Sequence, residues 1–278
     1  MQAEPTHAAR PIRVRKMDFP FADADVPRWW FHDNPLVTHG ANGLNLLFPE
    51  GERFFIRSVK HYMDRIEDPE LLARIKGFFG QEGRHGHEHE RANKILERHG
   101  YDLSGFLDLY QKWAFDFLER KFPPVLRLST TVACEHFTAI FAHNALTKDF
   151  VEGAHPLMQQ LIRWHACEEI EHKSVAFDVL QEVDPRYSVR IAGLVIATTQ
   201  LVGWWMVATR MLVEQEGLTK EEIRRYRADA KRLRQQGGGL DLEVIRTAFV
   251  EYLRPGFHPD QRDDYALAKE YLASIGEV

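Results

Sequence analysis

The sequence predicts an all-α protein, a helical bundle preceded by an extended N-terminal arm and followed by extra C-terminal helices. Three observations carry this. Apolar residues recur at three- and four-residue spacing from Leu44 onward, the period of one helix face. Asp68-Pro69 and Asp184-Pro185 each pair an N-cap residue with proline at the first helical position. No alternating strand pattern follows the arm, and no internal repeat is visible.

The elements follow in order. Residues 1–43 are rich in proline and aromatics around "DFPFADADVPRWWFHDNP" and read as an arm that wraps the body. Leu44 to Ile66 reads as the first helix. Asp68 caps the second, which continues through "ELLARIKGFFGQEGRHGHEHERANKILERHG" to the terminator Gly100. A third spans Leu103 to Lys121, and Pro123 and Pro124 reset the chain. A fourth runs from Val125 to about Asp149. Pro156 opens a fifth that reaches Val183, and a sixth ends at Glu216. Thr219 and Glu222 form a capping-box pattern ahead of the basic stretch "KEEIRRYRADAKRLRQQ". Gly237, Gly238 and Gly239 break that helix. Shorter helices follow over Asp241 to Leu253 and Asp260 to Ile275. The expected organisation is an arm (1–43), a metal-binding helical bundle (44–216) and a C-terminal helical extension packed on the bundle (217–278).

A chain of 278 residues can bury a good core in one large domain or two small ones. A net charge of -5 with both signs mixed gives no electrostatic case for nucleic acid. Two cysteines, Cys134 and Cys167, make no disulfide scaffold and suit a reducing compartment. "MQAEPTHAARPIRVRKMDFPF" has no apolar signal-peptide core, so a cytoplasmic protein is expected.

The chemistry is concentrated in "WHACEEIEHKS", Trp164 to Ser174, which sets His165, Glu169 and His172 on one helix face among apolar neighbours. Buried charge is costly unless compensated, and a metal is the usual compensation for a Glu/His cluster. Glu169-x-x-His172 has a counterpart in Glu82-x-x-His85. Glu135 lies inside the apolar run "STTVACEHFTAIFAH", and Glu52 lies inside "FPEGERFFIRSVKHYM". A single Glu-x-x-His is weak evidence, because solvated helix faces produce it often. The ordered set across four helices is specific for a dinuclear carboxylate site. Glu168 is a rival to Glu169, since it would pair with His172 at i, i+4. His61, His87, His89 and His136 are expected at the surface or behind the ligands. Cys134 and Cys167 are expected to pack rather than bind.

This set resembles the ferritin-like di-iron carboxylate superfamily. The resemblance implies a ferritin-like four-helix bundle holding two metal ions, iron first, with Mn/Fe or Zn compatible. His165, Glu169 and His172 together are similar to the ligand pattern of p-aminobenzoate N-oxygenases, which implies that His165 is a third nitrogen ligand. Its alternative is a histidine packed behind the ligands. The implied metal residues are Glu52, Glu82, His85, Glu135, His165, Glu169 and His172. The blocks "GQEGRHGHEHERAN" and "HACEEIEHKSVAFDV" also resemble a bacterial family of predicted metal-dependent hydrolases, over about residues 10–255.

Three functions follow as expectations. The first is an oxidase or oxygenase activating O2 for oxidation of a hydrophobic or aromatic small molecule. An external reductase would supply electrons, because the chain has no Cys cluster and no Gly-rich nucleotide loop. The second is a metal-dependent hydrolase whose dinuclear site activates water. The third is a non-catalytic metal-binding helical protein. A homodimer is compatible with each. "IAGLVIATTQLVGWWMVAT", Ile191 to Thr209, is uncharged and near the length of a membrane span. A helix buried on all sides is the expected reading, with a peripheral membrane contact beside the basic helix as its alternative.

Overall fold

The computed structural model describes residues 12–147, 151–236 and 242–277. Among these the chain is helical, and its one β-type contact is an isolated antiparallel bridge between Phe31 and Ala154. Helix α1 (Pro35–Asn45) opens on Asn34, whose side chain accepts from the N–H groups of Leu36 and Val37. The extended arm therefore ends at Asn34 rather than near residue 43. Asn34-Pro35 carries the same cap-plus-proline signal as Asp68-Pro69. The expected helix from Leu44 is in fact two, because α2 (Phe48–Lys60) starts afresh. Pro49 has no N–H to reach back four residues to Asn45, so one helix cannot run through.

Helix α3 (Pro69–Arg98) is capped by Asp68, which accepts from Glu70 N–H. Gly100 ends it at φ +86°, with Tyr101 N–H bonded back to Leu96 O at 3.1 Å. Helix α4 (Ser104–Gln111) passes through a π-helical segment, Lys112–Leu118, into the short α5 (Glu119–Lys121). Helix α6 (Pro124–Thr147) follows. The helix opened by Pro156 divides into α7 (Pro156–His172) and α8 (Val175–Val183). At the break, the Lys173 ammonium donates to Arg262 O and the Asp264 carboxylate, both at 2.5 Å.

Helix α9 (Tyr187–Gln215) is the long apolar helix; Arg186 stands at its N-cap position and Asp184 ends α8, so Asp184-Pro185 does not cap it as the sequence suggested. Helix α10 (Lys220–Gln235) has both arms of the Thr219/Glu222 capping box. Helices α11 (Leu242–Tyr252) and α12 (Tyr265–Ser274) complete the chain. The last starts later than expected, because a 3-10 turn at Pro259–Gln261 precedes it. The glycine break at 237–239 and the start at Asp241 lie outside the described residues.

Helix α2 packs on α3 and α6, and α7 packs on the same two, so four helices ring one interior. Helices α11 and α12 lie on α6, and α12 also contacts α7. Three arginines on α3, spaced seven apart, fasten the arm. Arg84 donates to Met17 O, Arg91 to Phe19 O and Arg98 to Phe21 O, at 2.9, 2.7 and 2.7 Å. The arm's Phe19, Phe21, Val26, Trp30 and Phe31 then pack with Ile95, Leu161 and Trp164. A second fastening is the buried Glu216 at the end of α9. Its carboxylate accepts from His39 (2.6 Å), Trp29 (2.9 Å), Arg28 (3.1 Å) and Tyr101. Burial alone would raise its pKa, but these donors outweigh burial and push it down to about 2.

Helix α9 is not buried on all sides. It covers α6 and α1, yet Val195, Met206 and Val207 are 54%, 63% and 48% exposed. Its length and composition would allow it to cross a membrane. Its close approach to α6 rests on Gly193, where an added Cβ would lie 2.1 Å from Ser129 Oγ and 2.4 Å from Ser129 backbone atoms. Gly193→Ala is expected to destabilise by about 1–3 kcal/mol, because backbone cannot yield as a side chain can. Gly203→Ala on the same helix meets open space and is expected to stabilise by about 0.5–1 kcal/mol. Urea unfolding of the two variants beside wild type checks the pair.

Candidate metal centre

The four ringed helices each send acidic or basic side chains inward. Helix α2 supplies Glu52, α3 supplies Glu82 and His85, α6 supplies Glu135, and α7 supplies His165, Glu169 and His172. All seven are buried and meet in one cluster. The i, i+3 and i, i+4 spacings place each helix's contributors on a single stripe. Gly86 lets α2 come close, since a Cβ there would stand 3.0 Å from Glu52 Oε2.

The cluster has two lobes that share Glu82 and Glu169. In one, His172 Nε2 lies 3.0 Å from Glu82 Oε1, 3.3 Å from Glu135 Oε2 and 3.5 Å from Glu169 Oε1. In the other, His85 Nδ1 lies 3.8 Å from Glu82 Oε1 and 3.7 Å from Glu169 Oε1. His165 Nε2 joins that lobe, 2.7 Å from Glu169 Oε1 and 3.9 Å from Glu52 Oε1. Ligand bonds of about 2.1 Å put neighbouring ligand atoms roughly 3.0–3.4 Å apart; the His172 separations of 3.0–3.5 Å are close to that spacing, and those around His85 and His165 spread more widely, from 2.7 to 3.9 Å.

The hydrogen-bond partners outside the cluster set the histidine tautomers. Gln81 Nε2 donates to Arg13 O and Glu171, so its Oε1 accepts from His172 Nδ1–H at 2.8 Å. His85 Nε2–H donates to Glu168 at 2.9 Å, and Glu168 is held by Arg15 at 3.2 Å. Asn45 Nδ2 donates to Asn93, so its Oδ1 accepts from His89 Nδ1–H. His89 Nε2 then accepts from His165 Nδ1–H at 2.6 Å. Each of the three inner histidines is left with its lone pair facing carboxylate oxygens. Lone pairs do not face each other without a cation or proton between them, and this is the outer support that metal-binding histidines use.

The same conclusion comes from the atoms left without partners. Both oxygens of Glu52, Glu82 and Glu135, His85 Nδ1 and His172 Nε2 are buried and have no hydrogen bond. Orphaned buried groups of this kind are costly in a folded protein. They converge on one volume, and groups of three fall within 4.8 Å of one another. Four carboxylates with nitrogen donors fit two divalent cations, which would cancel the charge and take up the orphaned atoms.

Electrostatics inside the cluster shows the strain of that charge. Burial and the neighbouring carboxylates hold Glu52 and Glu82 well above the usual range, and burial with Glu169 pushes Glu135 up to about 7. Burial would raise Glu169 too, but His172 and His165 outweigh it and bring it well down. Burial depresses His85 and His89. For His172, burial is overcome by Glu169 and Glu135, which raise it.

The rival carboxylates separate cleanly. Glu169 faces the cluster, whereas Glu168 lies on the outer side of the His85 ring. His89 stands behind His165. His61 and His87 are exposed. His136 turns away to Ala248 O at 2.8 Å, and burial lowers it to about 4. Neither cysteine belongs to the cluster. Sequence reasoning missed Gln81, Asn45, Thr138 and Arg15. Thr138, one turn after Glu135, carried a helical-spacing signal and donates to Glu169 Oε2. Arg15 sits on the arm, 153 residues from Glu168, and no local pattern could have found it.

A mostly apolar cavity of about 510 Å³ opens onto the cluster. His89, His165, Glu169 and Thr138 form its inner end. Trp30, Phe31, Phe48, Phe141, Met158 and Trp205 are among its walls.

The family model for predicted metal-dependent hydrolases matches residues 13–263, and the chain belongs to that family. No curated protein and no solved structure matches it.

Metal analysis by mass spectrometry is expected to find about two ions per wild-type chain and a loss of both in Glu135→Ala and His172→Ala. Glu168→Gln is expected to keep the fold and weaken metal retention by about 10–100-fold, because Glu168 orients His85 from outside the cluster. A well-folded wild-type protein that binds no metal would exclude the centre.

Proposed function

We propose that the protein is a dinuclear-metal oxidase or oxygenase acting on an apolar small molecule, built on the ferritin-like pattern of the sequence. The observation that carries this is the apolar cavity ending on Glu169 and His165. A dry pocket against a carboxylate-rich two-metal site suits oxidation of unactivated apolar groups. Two iron ions, or a Mn/Fe pair, would supply O2 activation when bound. Glu52, Glu82, His85, Glu135, His165, Glu169 and His172 would hold them. An external reductase would return electrons.

The chain's own residues do the rest. The aromatic walls exclude water and orient substrate toward the inner end. Thr138 O–H holds Glu169 Oε2 at the cavity floor, which steadies the carboxylate closest to substrate. The His165–His89–Asn45 chain keeps the His165 lone pair aimed inward. Arg15 offsets one of the two negative charges of Glu168 and Glu171, which reduces the charge added at the outer edge of the cluster.

Hydrolysis is the second reading, and the family description favours it more directly than O2 chemistry. There the same residues would hold Zn or Mn, and a carboxylate at the floor would take a proton from water. A non-catalytic protein is the third reading, for which the formed cavity has no use.

An oxygen electrode separates these readings. Reduced iron-loaded protein is expected to consume O2, and Glu135→Ala is expected not to. No O2 uptake, with anaerobic cleavage of an apolar ester by zinc-loaded protein, would establish the hydrolase instead.

Access is tested separately. Gly40 lines the cavity and has open space where a Cβ would stand. Gly40→Leu is expected to leave metal content unchanged and to lower binding of the apolar fluorophore 1-aminoanthracene about tenfold or more. Unchanged binding would show that the cavity is not the entry route.

A further inference from the structure

The cavity is polar only at its two ends. At the inner end are His89, His165, Glu169, Thr138 and Asn45. Apolar side chains from α1, α6, α7 and α9 make the middle. At the outer end, α10 contributes Arg227, Ala230 and Arg234.

Both arginines are exposed, so this end is the mouth. They lie seven residues apart, which puts them on one side of α10 about 10 Å apart along its axis. Ala230 falls between them on that side, and its small side chain keeps the opening clear. Neither guanidinium has a carboxylate, hydrogen-bond or ring partner among the described residues. Of the acids on α10, Asp229 pairs with Arg232, Glu222 closes the capping box, and Glu221 lies in the first turn, six residues before Arg227. Two cations without a partner among the described residues, flanking an apolar channel, suit an anion whose carbon skeleton lies inside.

We infer that the substrate is an anionic amphiphile, an apolar chain or ring system with a carboxylate or phosphate at one end. Its apolar part fills the channel, its distal end reaches Glu169 and His165, and its anionic end stays between Arg227 and Arg234. The inference rests on reading the cavity as the substrate pocket. It gives that reading a direction: the reacting position is the end far from the charge. The mouth is solvated, so the head group contributes selectivity and salt sensitivity rather than most of the affinity.

The test is calorimetric binding to the full-length, metal-loaded protein. The probes are dodecanoate, dodecyl phosphate, dodecanol and dodecyltrimethylammonium. Both anions are expected to bind about tenfold or more tighter than dodecanol at low salt, with the cation weakest. Raising the salt is expected to shrink that advantage. In Arg227→Gln/Arg234→Gln the advantage is expected to fall to about threefold or less, with dodecanol affinity unchanged.

Equal binding of dodecanoate and dodecanol to wild type would overturn the inference, as would an anion advantage that survives the double substitution. Glu135→Ala separates this from the metal reading. An anion advantage that persists in that metal-depleted protein locates recognition at the mouth. One that vanishes there but survives the arginine substitutions would place the anion at the metals and refute the assignment.

Vesicles distinguish the source of the acid, because Met206 and Val207 beside the cavity residue Trp205 are exposed. Cosedimentation with phosphatidylglycerol but not phosphatidylcholine vesicles, lost in the double variant, would identify a bilayer-held acid. Dodecanoate binding without cosedimentation would identify a soluble one.

Discussion

Four carboxylates, Glu52, Glu82, Glu135 and Glu169, share one water-poor interior, and their mutual repulsion is the constraint to which the rest of the structure answers. Charge in such a place costs several kcal/mol per group unless it is paired. The surrounding protein supplies little pairing for these four. It supplies instead three histidines with lone pairs turned inward, and it leaves most of the carboxylate oxygens without donors. A fold that wanted a neutral polar core would have placed donors there. This one has placed acceptors on every side.

The outer layer shows the same division of labour. Arg15 reaches in from the arm and binds Glu171 with both nitrogens at 2.7 and 2.8 Å, and Glu168 with one. That pairing offsets one of two further negative charges at the edge of the cluster. Gln81 and Asn45 carry no charge at all, yet they settle which nitrogen of His172 and His89 bears the proton. The arm is thereby part of the centre and not only a strap over it. Its fastening by Arg84, Arg91 and Arg98 keeps Arg15 in range.

The cavity and the cluster also explain each other. Apolar walls raise the cost of unpaired charge at the floor. Helix α9 contributes Trp205 to the wall while leaving Met206 and Val207 at the surface, so an uncharged helix serves both sides. Hydropathy alone could not separate that from full burial, since both leave the same run of apolar letters.

Features that depend on local spacing are legible in the letters alone. Helical periodicity, the Asp68, Thr219 and Gly100 signals, and the two Glu-x-x-His pairs are properties of neighbouring residues, and a helix converts each into a face or an end. The seven residues proposed for the metals could be named for that reason. The Asn34-Pro35 start is equally local, set inside an aromatic-rich stretch. Tertiary structure decided what depends on distance along the chain. Arg15 meets Glu168, His89 meets His165, and the arginines of α10 meet a cavity built by α1, α6, α7 and α9, because packing brings together faces whose letters carry no record of one another. The choice between Glu168 and Glu169 shows the boundary. Adjacent positions differ by about 100° around a helix, and only the packing of α3 against α7 says which of the two looks inward.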